Sequence, residues 1–204
     1  MMLRVFLYFI LFSTNLYSKE IPVIVISASK TPQSYSSVGS QVTIIDSKTI
    51  EQSSDSFLTD LLNNEVQGMN IFSLGGRGTN TGIQIRGLPK RYSTIYIDGV
   101  KMYDPSTPDN SFYSEGLFKD NIDRIEILKG SQSSLYGNSA VGGTINIFTK
   151  KGRLGFHQDA AIRYGENNSQ DVFYSIDGAD NEQSYFVGFN YYKTDGISAM
   201  NNDD

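Results

Sequence analysis

Three segments near the end of the chain alternate between apolar and polar side chains, and this pattern restricts the possible folds most strongly. From Phe156 onward, apolar or aromatic residues recur at every second position over stretches of about ten residues, with polar turns between the stretches. A period of two is typical of β-strands, whose successive side chains point to opposite faces. The alternating apolar sets are Ala160, Ile162 and Tyr164; Val172, Tyr174 and Ile176; and Tyr185, Val187, Phe189 and Tyr191.

This pattern is compatible with two environments. Strands of about ten residues with one apolar face, aromatic ends and polar turns are typical of outer-membrane β-barrels. A soluble antiparallel meander has the same period, so the alternation alone leaves both interpretations open. Three strands cannot close a barrel, and a bilayer does not tolerate open strand edges. If the three segments are barrel strands, we therefore expect this sequence to be a fragment.

The composition argues against several functional classes. The chain has no Cys and one His, His157, which argues against disulfide scaffolds, thiolate metal sites and the usual His-based catalytic sets. Its formal net charge of −5 argues against nucleic-acid binding, which needs clustered basic residues. The glycines Gly76, Gly78 and Gly82 miss the dinucleotide-binding spacing by one residue. We predict a protein that is not an enzyme and that needs no cofactor or metal.

The first eighteen residues follow the plan of a secretory signal peptide. Arg4 precedes an unbroken apolar run at residues 5–12, and small polar residues follow it. A membrane anchor is the alternative, but this run is far shorter than the roughly 20 residues that a spanning helix needs. We expect cleavage after Ser18 and assign residues 1–18 to the signal peptide.

A short β-prone run, residues 21–26, precedes a serine-rich stretch at residues 27–40. Such a polar composition buries little apolar area and is typical of a flexible tether. The β-prone run has two possible roles. It is either an edge strand docked on the following domain, or a motif to which a partner pairs by strand addition.

Residues 41–151 mix short strands with short helices and predict an α+β domain. Asp55 or Ser56 is expected to cap a helix whose apolar face contains Phe57, Leu58 and Leu61. A long polar loop at residues 100–116 follows the Asp98-Gly99 turn, and loops of this length are often functional. The predicted strands are 41–45, 69–72, 83–87, 94–97 and the two flanks of the stretch 122–151.

Five motifs in this region follow one another in a recognisable order: IRG at 85–87, IYIDGV at 95–100, IDRIEILKG at 122–130, LYG at 135–137 and AVGGTINIFTK at 140–150. With them, residues 22–151 closely resemble the plug of TonB-dependent outer-membrane receptors, most of all the vitamin B12 and siderophore transporters. The resemblance implies an α+β plug followed by the first antiparallel strands of a transmembrane β-barrel. That barrel has about 22 strands in the family and is incomplete here.

The resemblance also implies a division of the chain and a function. Residues 19–40 would contain the TonB box and its tether, 41–151 the plug, and 152–204 the first barrel strands. The protein would carry out TonB-dependent transport of a scarce large ligand, a cobalamin or a ferric siderophore, across the outer membrane of a Gram-negative bacterium. Its partners would be TonB with its inner-membrane energising complex, outer-membrane lipid and that ligand. The alternative is a soluble periplasmic or secreted plug-like binding module.

The family's functional positions can be placed on this sequence. Arg86, in the IRG motif, would form an ion pair with carboxylates of the barrel wall. Leu135 stands where some siderophore receptors carry a second arginine. The expected substrate contacts on the plug apex are Arg77, Lys90, Tyr92, Tyr103 and Asp104. The TonB box, with which TonB pairs as an added strand, corresponds to Pro22, Val23, Ile24, Val25, Ile26, Ser27 and Ala28.

Overall fold

The structure, a computed structural model, describes residues 24–25, 27, 29–35, 38–75, 79–109 and 111–196. The predicted signal peptide, residues 1–18, lies outside the described residues. Pro22, Val23, Ile26 and Ala28 of the predicted TonB box, and the predicted contact Arg77, also lie outside them. Within the described ranges, no helix is long and apolar enough to cross a membrane.

Short strands and helices alternate among the described residues between Ile24 and Thr149, and three longer strands follow. Two 3₁₀ turns, at Lys90–Tyr92 and Lys119–Asn121, precede β6 and β8. The elements are β1 (Ile24–Val25), β2 (Gln33–Ser34), β3 (Gln41–Ile45), α1 (Ser47–Gln52), α2 (Leu58–Glu65), β4 (Met69–Ser73), β5 (Thr81–Ile85), β6 (Ser93–Ile97), β7 (Val100–Met102), β8 (Ile122–Lys129), α3 (Ser133–Tyr136), β9 (Gly143–Thr149), β10 (Gly155–Gly165), β11 (Ser169–Ala179) and β12 (Ser184–Lys193).

A five-stranded mixed sheet forms the centre of the first domain, in the order β3-β8-β9-β6-β7. Strands β6 and β9 pair in parallel, and the other neighbours are antiparallel. Ile125 and Ile127 of β8 pack in one core with Leu58, Leu61 and Leu62 of α2. Burying each such side chain contributes about 1.5–3 kcal/mol. The predicted apolar face of α2 and the α+β class are therefore confirmed.

The predicted cap of α2 is wrong. The helix begins after Phe57, and no side chain caps it. The carboxylate of Asp55 instead accepts hydrogen bonds from Ser53 and Asn64, and the carbonyl of Ser56 accepts one from the backbone N–H of Lys119. Because the N–H of Leu58 donates to the carbonyl of Leu117 at 2.8 Å, a neighbouring backbone segment replaces the side-chain cap.

The three predicted strands near the end of the chain are confirmed as an antiparallel sheet, β10-β11-β12. One face of this sheet is apolar and exposed, with Phe156, Ile162, Tyr164, Val187 and Phe189 among its side chains. The opposite face faces the first domain, and its central strand is buried at Asp171, Phe173, Ser175 and Asp177. We call this three-stranded sheet the wall.

Two consecutive glycines, Gly142 and Gly143, bring β9 close to β8. Gly143 has a φ of +152°, and a Cβ atom there would lie 2.3 Å from the carbonyl oxygen of Leu128. Gly142 donates to the carbonyl of Tyr92 and accepts from the N–H of Gly130, each at 2.9 Å. The glycines therefore allow the close backbone approach on which this part of the sheet depends.

Replacing Gly143 by Ala should destabilise the protein by at least about 2 kcal/mol, because the new methyl group would contact a backbone oxygen that cannot move freely. Gly116→Ala is the matched control, since a Cβ atom at Gly116 would have no other atom within 4 Å. Urea unfolding in detergent, followed by far-ultraviolet circular dichroism, measures the difference. Equal unfolding midpoints for the two variants would contradict this explanation.

Candidate functional site

The described part of the predicted TonB box is docked on the sheet. Ile24 and Val25 form β1 and pair antiparallel with Ser34 and Gln33 of β2. The side chain of Val25 is fully buried and packs with Val42 and Leu128. In this structure β1 and β2 form a separate two-stranded sheet that packs on the domain, and the strand-addition role stays a prediction. Within the predicted flexible tether, Gln33 and Ser34 form β2 because they pair with β1.

Ser27 is fixed to the sheet through three hydrogen bonds. Its backbone N–H donates to Oε2 of Glu126 at 2.8 Å, and its hydroxyl donates to the same oxygen at 2.6 Å. The hydroxyl of Tyr136 donates to the carbonyl oxygen of Ser27 at 2.6 Å. We call Ser27, Glu126 and Tyr136 the latch. Both main-chain polar groups of Ser27 are engaged there, so they are not available to a strand-adding partner.

The acidic member of the latch is buried. Glu126 has no exposed surface, and Nε of Arg124 donates to its Oε1 at 3.1 Å. A buried carboxylate needs such partners, because transfer from water to the protein interior is costly for an unpaired charge. If Ser27 left, Oε2 would lose two donors, so the docked segment helps to satisfy the core of the domain.

Tyr136, the aromatic member of the latch, keeps its proton at physiological pH. Burial, together with the neighbouring Tyr96 and Glu126, raises the pKa of the Tyr136 hydroxyl to about 12. The rings of Tyr96 and Tyr136 meet edge to face, with centroids 4.9 Å apart. The phenol is therefore a persistent donor to Ser27. A cavity of about 580 Å³ opens beside the latch and is also lined by Arg124 and Phe148.

A second cavity, of about 360 Å³, lies among the loops that the sequence predicted to contact substrate. Of those predicted residues, Lys90 and Tyr103 line it, and Tyr103 is 59% exposed. Lys90 forms an ion pair with Asp109 at 3.2 Å. Burial raises the pKa of the Asp109 carboxyl, but hydrogen bonds from Ser111 and Lys90 outweigh burial and bring this pKa below its ordinary value. We call this cavity the apical cavity.

Two further predicted contacts do not line the apical cavity. The ring of Tyr92 lies beside the guanidinium of Arg91, 4.9 Å from centroid to Cζ. The carboxylate of Asp104 accepts hydrogen bonds from the hydroxyl and N–H of Ser106, which lower the pKa of Asp104. Sequence analysis missed Lys101, Asp109 and Phe112, which line the cavity. The length of the polar loop 100–116 was the signal that could have pointed to them.

The predicted role of Arg86 remains a prediction. Arg86 is exposed, has a φ of +55°, and donates to the side-chain oxygen of Gln41 at 2.6 Å. Among the described residues, no carboxylate forms an ion pair with it. Likewise, no described group of three or more His, Cys, Asp or Glu side chains could hold a metal ion.

An ion pair that sequence analysis missed connects the first domain to the wall. Arg163 of β10 donates through both terminal nitrogens to the carboxylate of Asp120, one of these contacts measuring 3.0 Å. Arg163 also contacts Asp171 of β11 at 2.6 Å. The signal available in the sequence was Arg163 itself, a charged residue between the apolar residues Ile162 and Tyr164, on the opposite face of the same strand.

Comparisons with known proteins identify a family for most of the first domain. A profile of the family described as TonB-dependent Receptor Plug Domain matches residues 34–144. The vitamin B12 transporter BtuB of Vibrio vulnificus is 29% identical over 175 residues, which cover 85% of this chain and 28% of that transporter. BtuB of Vibrio cholerae is 34% identical over 127 residues, 62% of this chain and 20% of the transporter. The chain thus spans less than a third of the length of these curated relatives.

Solved structures are similar in fold. A variant of the ferric enterobactin receptor from Pseudomonas aeruginosa, in complex with enterobactin, has a TM-score of 0.59 and 26% identity. The match covers 76% of this chain and 25% of that receptor. The siderophore receptor PiuA from Acinetobacter baumannii has a TM-score of 0.62 and 24% identity over 77% of this chain and 21% of its own. The predicted fold class, a plug followed by a few antiparallel strands, is therefore confirmed.

Tyr136→Phe should loosen the docked segment while leaving the ring in place, because it removes the hydrogen bond to the Ser27 carbonyl. Loss of a bond worth about 1 kcal/mol should raise the ratio of undocked to docked segment about fivefold. A nitroxide attached through Ser29→Cys reports this ratio in its electron paramagnetic resonance spectrum. Tyr103→Phe, at the apical cavity, is the control, and identical spectra for both variants would count against the latch.

Proposed function

The chain belongs to the family of TonB-dependent receptor plug domains, and we propose from this that the complete protein imports a scarce, large ligand across the outer membrane of a Gram-negative bacterium. One observation carries the proposal: the plug sheet continues directly into the wall, since β9 ends at Thr149 and β10 begins at Gly155. TonB, with its inner-membrane energising complex, supplies the work. The relatives are transporters and receptors, which supports transport rather than catalysis.

The surface of the wall supports a membrane location. Its exposed face carries Phe156, Ile162, Tyr164, Val187 and Phe189, each more than half exposed. A contiguous apolar strand face with aromatic residues near both ends suits contact with lipid. The same face would expose these apolar side chains to water in a soluble plug-like binding module, so it disfavours that alternative.

The proposed ligand is a cobalamin or a ferric siderophore. This proposal rests on the names of the relatives, which are vitamin B12 transporters and siderophore receptors. The apical cavity supplies part of the binding surface, with Lys90, Lys101 and Tyr103 on its walls. At about 360 Å³ it is at the lower end of the size range of ligand pockets, so a large ligand would need further contacts.

The latch suggests how plug and TonB communicate. In the proposed mechanism, residues 22–28 are the TonB box, and TonB binds them by adding a strand through main-chain hydrogen bonds. Because the N–H and carbonyl of Ser27 are engaged by Glu126 and Tyr136, the box must leave the latch before TonB can pair with it there. The plug then gates the barrel by mechanical displacement, with no covalent chemistry.

Val25→Pro should abolish energised uptake by the complete protein and leave ligand binding intact. Proline has no N–H to donate and cannot take part fully in an added strand. Uptake of radiolabelled cyanocobalamin and of ferric siderophores, compared with equilibrium binding of the same compounds, measures the two activities separately. Ser29→Pro, just outside the proposed box, is the matched control and should keep its uptake. Unchanged uptake by Val25→Pro would refute the assignment of the box.

Tyr103→Ala should weaken ligand binding about tenfold, because Tyr103 is an exposed aromatic side chain on the wall of the apical cavity, and tyrosines are frequent hot spots of binding. Tyr113→Ala is the matched control: Tyr113 is exposed on the same loop but does not line the apical cavity. Equilibrium binding to the complete protein in detergent distinguishes the two. Equal losses in both variants would remove the apical cavity from the proposed binding surface.

A further inference from the structure

The plug and the wall meet along one continuous contact, which we call the seam. On the plug side it is formed around the 3₁₀ turn Lys119–Asn121, and on the wall side by the inward-facing positions of β10 and β12. The seam consists of Phe57, Asp120 and Asn121 from the plug and Arg163, Gly188, Asn190 and Tyr192 from the wall.

A largely buried ion pair is at the centre of the seam. The carboxylate of Asp120 receives both terminal nitrogens of Arg163, whose side chain is 22% exposed. Asp171, almost completely buried on β11, holds the same guanidinium at 2.6 Å from the wall side. Separating plug and wall here would break both hydrogen bonds between Asp120 and Arg163, and Arg163 would keep only its contact with Asp171.

The contacts on either side of the ion pair are close. A Cβ atom on Gly188 would lie 2.2 Å from the side-chain oxygen of Asn121, so the turn fits directly against bare backbone. The side-chain amides of Asn121 and Asn190 are hydrogen bonded at 3.0 Å. The rings of Phe57 and Tyr192 meet edge to face, with centroids 4.9 Å apart. Plug and wall therefore meet at the seam through polar, aromatic and close backbone contacts together.

The plug turn itself is fixed to the body of the plug. The fully buried Lys119 donates through Nζ to the carbonyls of Ile50 and Ser53, the latter at 2.7 Å. Burial, and secondarily the positive charge of Arg163, lowers the pKa of this lysine. The carbonyl of Asn121 accepts the N–H of Lys150 at 3.0 Å. The turn therefore cannot move away from the wall without disturbing the plug.

The chain segment that joins the plug to the wall is short. Five residues, 150–154, connect β9 to β10. Within this connection, Arg153 holds Asp177 of β11 through its guanidinium at 2.6 Å and through its N–H at 2.9 Å. Gly152 lies so close to β11 that a Cβ atom would be 2.0 Å from the carbonyl oxygen of Gly178. The chain is thus fastened to the wall immediately after it leaves the plug.

We infer that the seam stays closed while ligand passes. The inference rests on the proposed transport function. The ion pair between Asp120 and Arg163 opposes separation of plug and wall. Lys119 anchors the plug side of the seam to the plug core, and the five-residue connection between β9 and β10 limits how far plug and wall could move apart. The seam is therefore the fixed side of the gate.

A disulfide across the seam tests this directly. The variant carries Asn121→Cys and Gly188→Cys, positions at which a Cβ atom on residue 188 would lie 3.3 Å from Cγ of Asn121. Since Cγ is one bond from Cβ, the two Cβ atoms lie within about 5 Å of each other, a range that includes the separation of about 4 Å found in disulfides. The complete protein is oxidised in cells, and energised uptake of labelled cyanocobalamin and ferric siderophores is compared before and after reduction.

We expect uptake by the oxidised variant to stay within twofold of uptake by the same protein after reduction. A larger loss that reduction restores would overturn the inference. The comparison is internal to one variant, so a general folding defect does not affect it. Absence of TonB-dependent uptake by the unmodified protein would instead overturn the proposed function, and the inference with it.

A single substitution provides a second measurement if the double variant assembles poorly. In Asn121→Cys, the thiol lies within the seam, and a membrane-impermeant maleimide measures its accessibility. We expect ligand and energised TonB to change the labelling rate by less than twofold. Faster labelling than this during transport would show that the seam opens and would overturn the inference.

Discussion

Strand β8 sends its side chains alternately into two different layers, and the architecture depends on this division. Ile125 and Ile127 face the helical core, whereas Glu126 and Leu128 face the amino-terminal segment. A carboxylate in the middle of a buried strand needs donors, and Ser27 provides two of them. Docking of the amino-terminal segment is therefore part of the stability of the sheet.

The plug is contacted by the amino-terminal segment at the latch and by the wall at the seam, and the two contacts differ in kind. At the latch, one segment is attached through a few hydrogen bonds around Ser27 and the packing of Val25. At the seam, the Asp120–Arg163 ion pair acts together with aromatic contact, a close backbone approach and a short covalent connection. In the proposed mechanism, a pulling force applied near the amino terminus would reach the latch before the seam, because Ser27 precedes the seam residues in the chain. This order suits a gate that is opened from its free end.

The features that depend on local pattern could be predicted from the sequence. The alternation after Phe156 predicted three strands, and the apolar spacing around Leu58 predicted α2, because each depends on residues that are near neighbours. The latch and the ion pair could not be predicted. Ser27 and Glu126 are 99 residues apart, and Asp120 and Arg163 are 43 apart. Their pairing follows from sheet order and register, which residue patterns alone do not specify.

The contact between Gly188 and Asn121 also restricts how this protein can change over evolutionary time. Since a Cβ atom at residue 188 would lie 2.2 Å from the side-chain oxygen of Asn121, a larger residue at 188 requires the Asn121 side chain to move or a smaller residue to replace it. Positions that are 67 residues apart in the chain are thereby expected to vary as a pair. In a collection of related sequences, paired substitution at positions 121 and 188 would indicate that this part of the wall and the plug turn are in contact in the relatives as well.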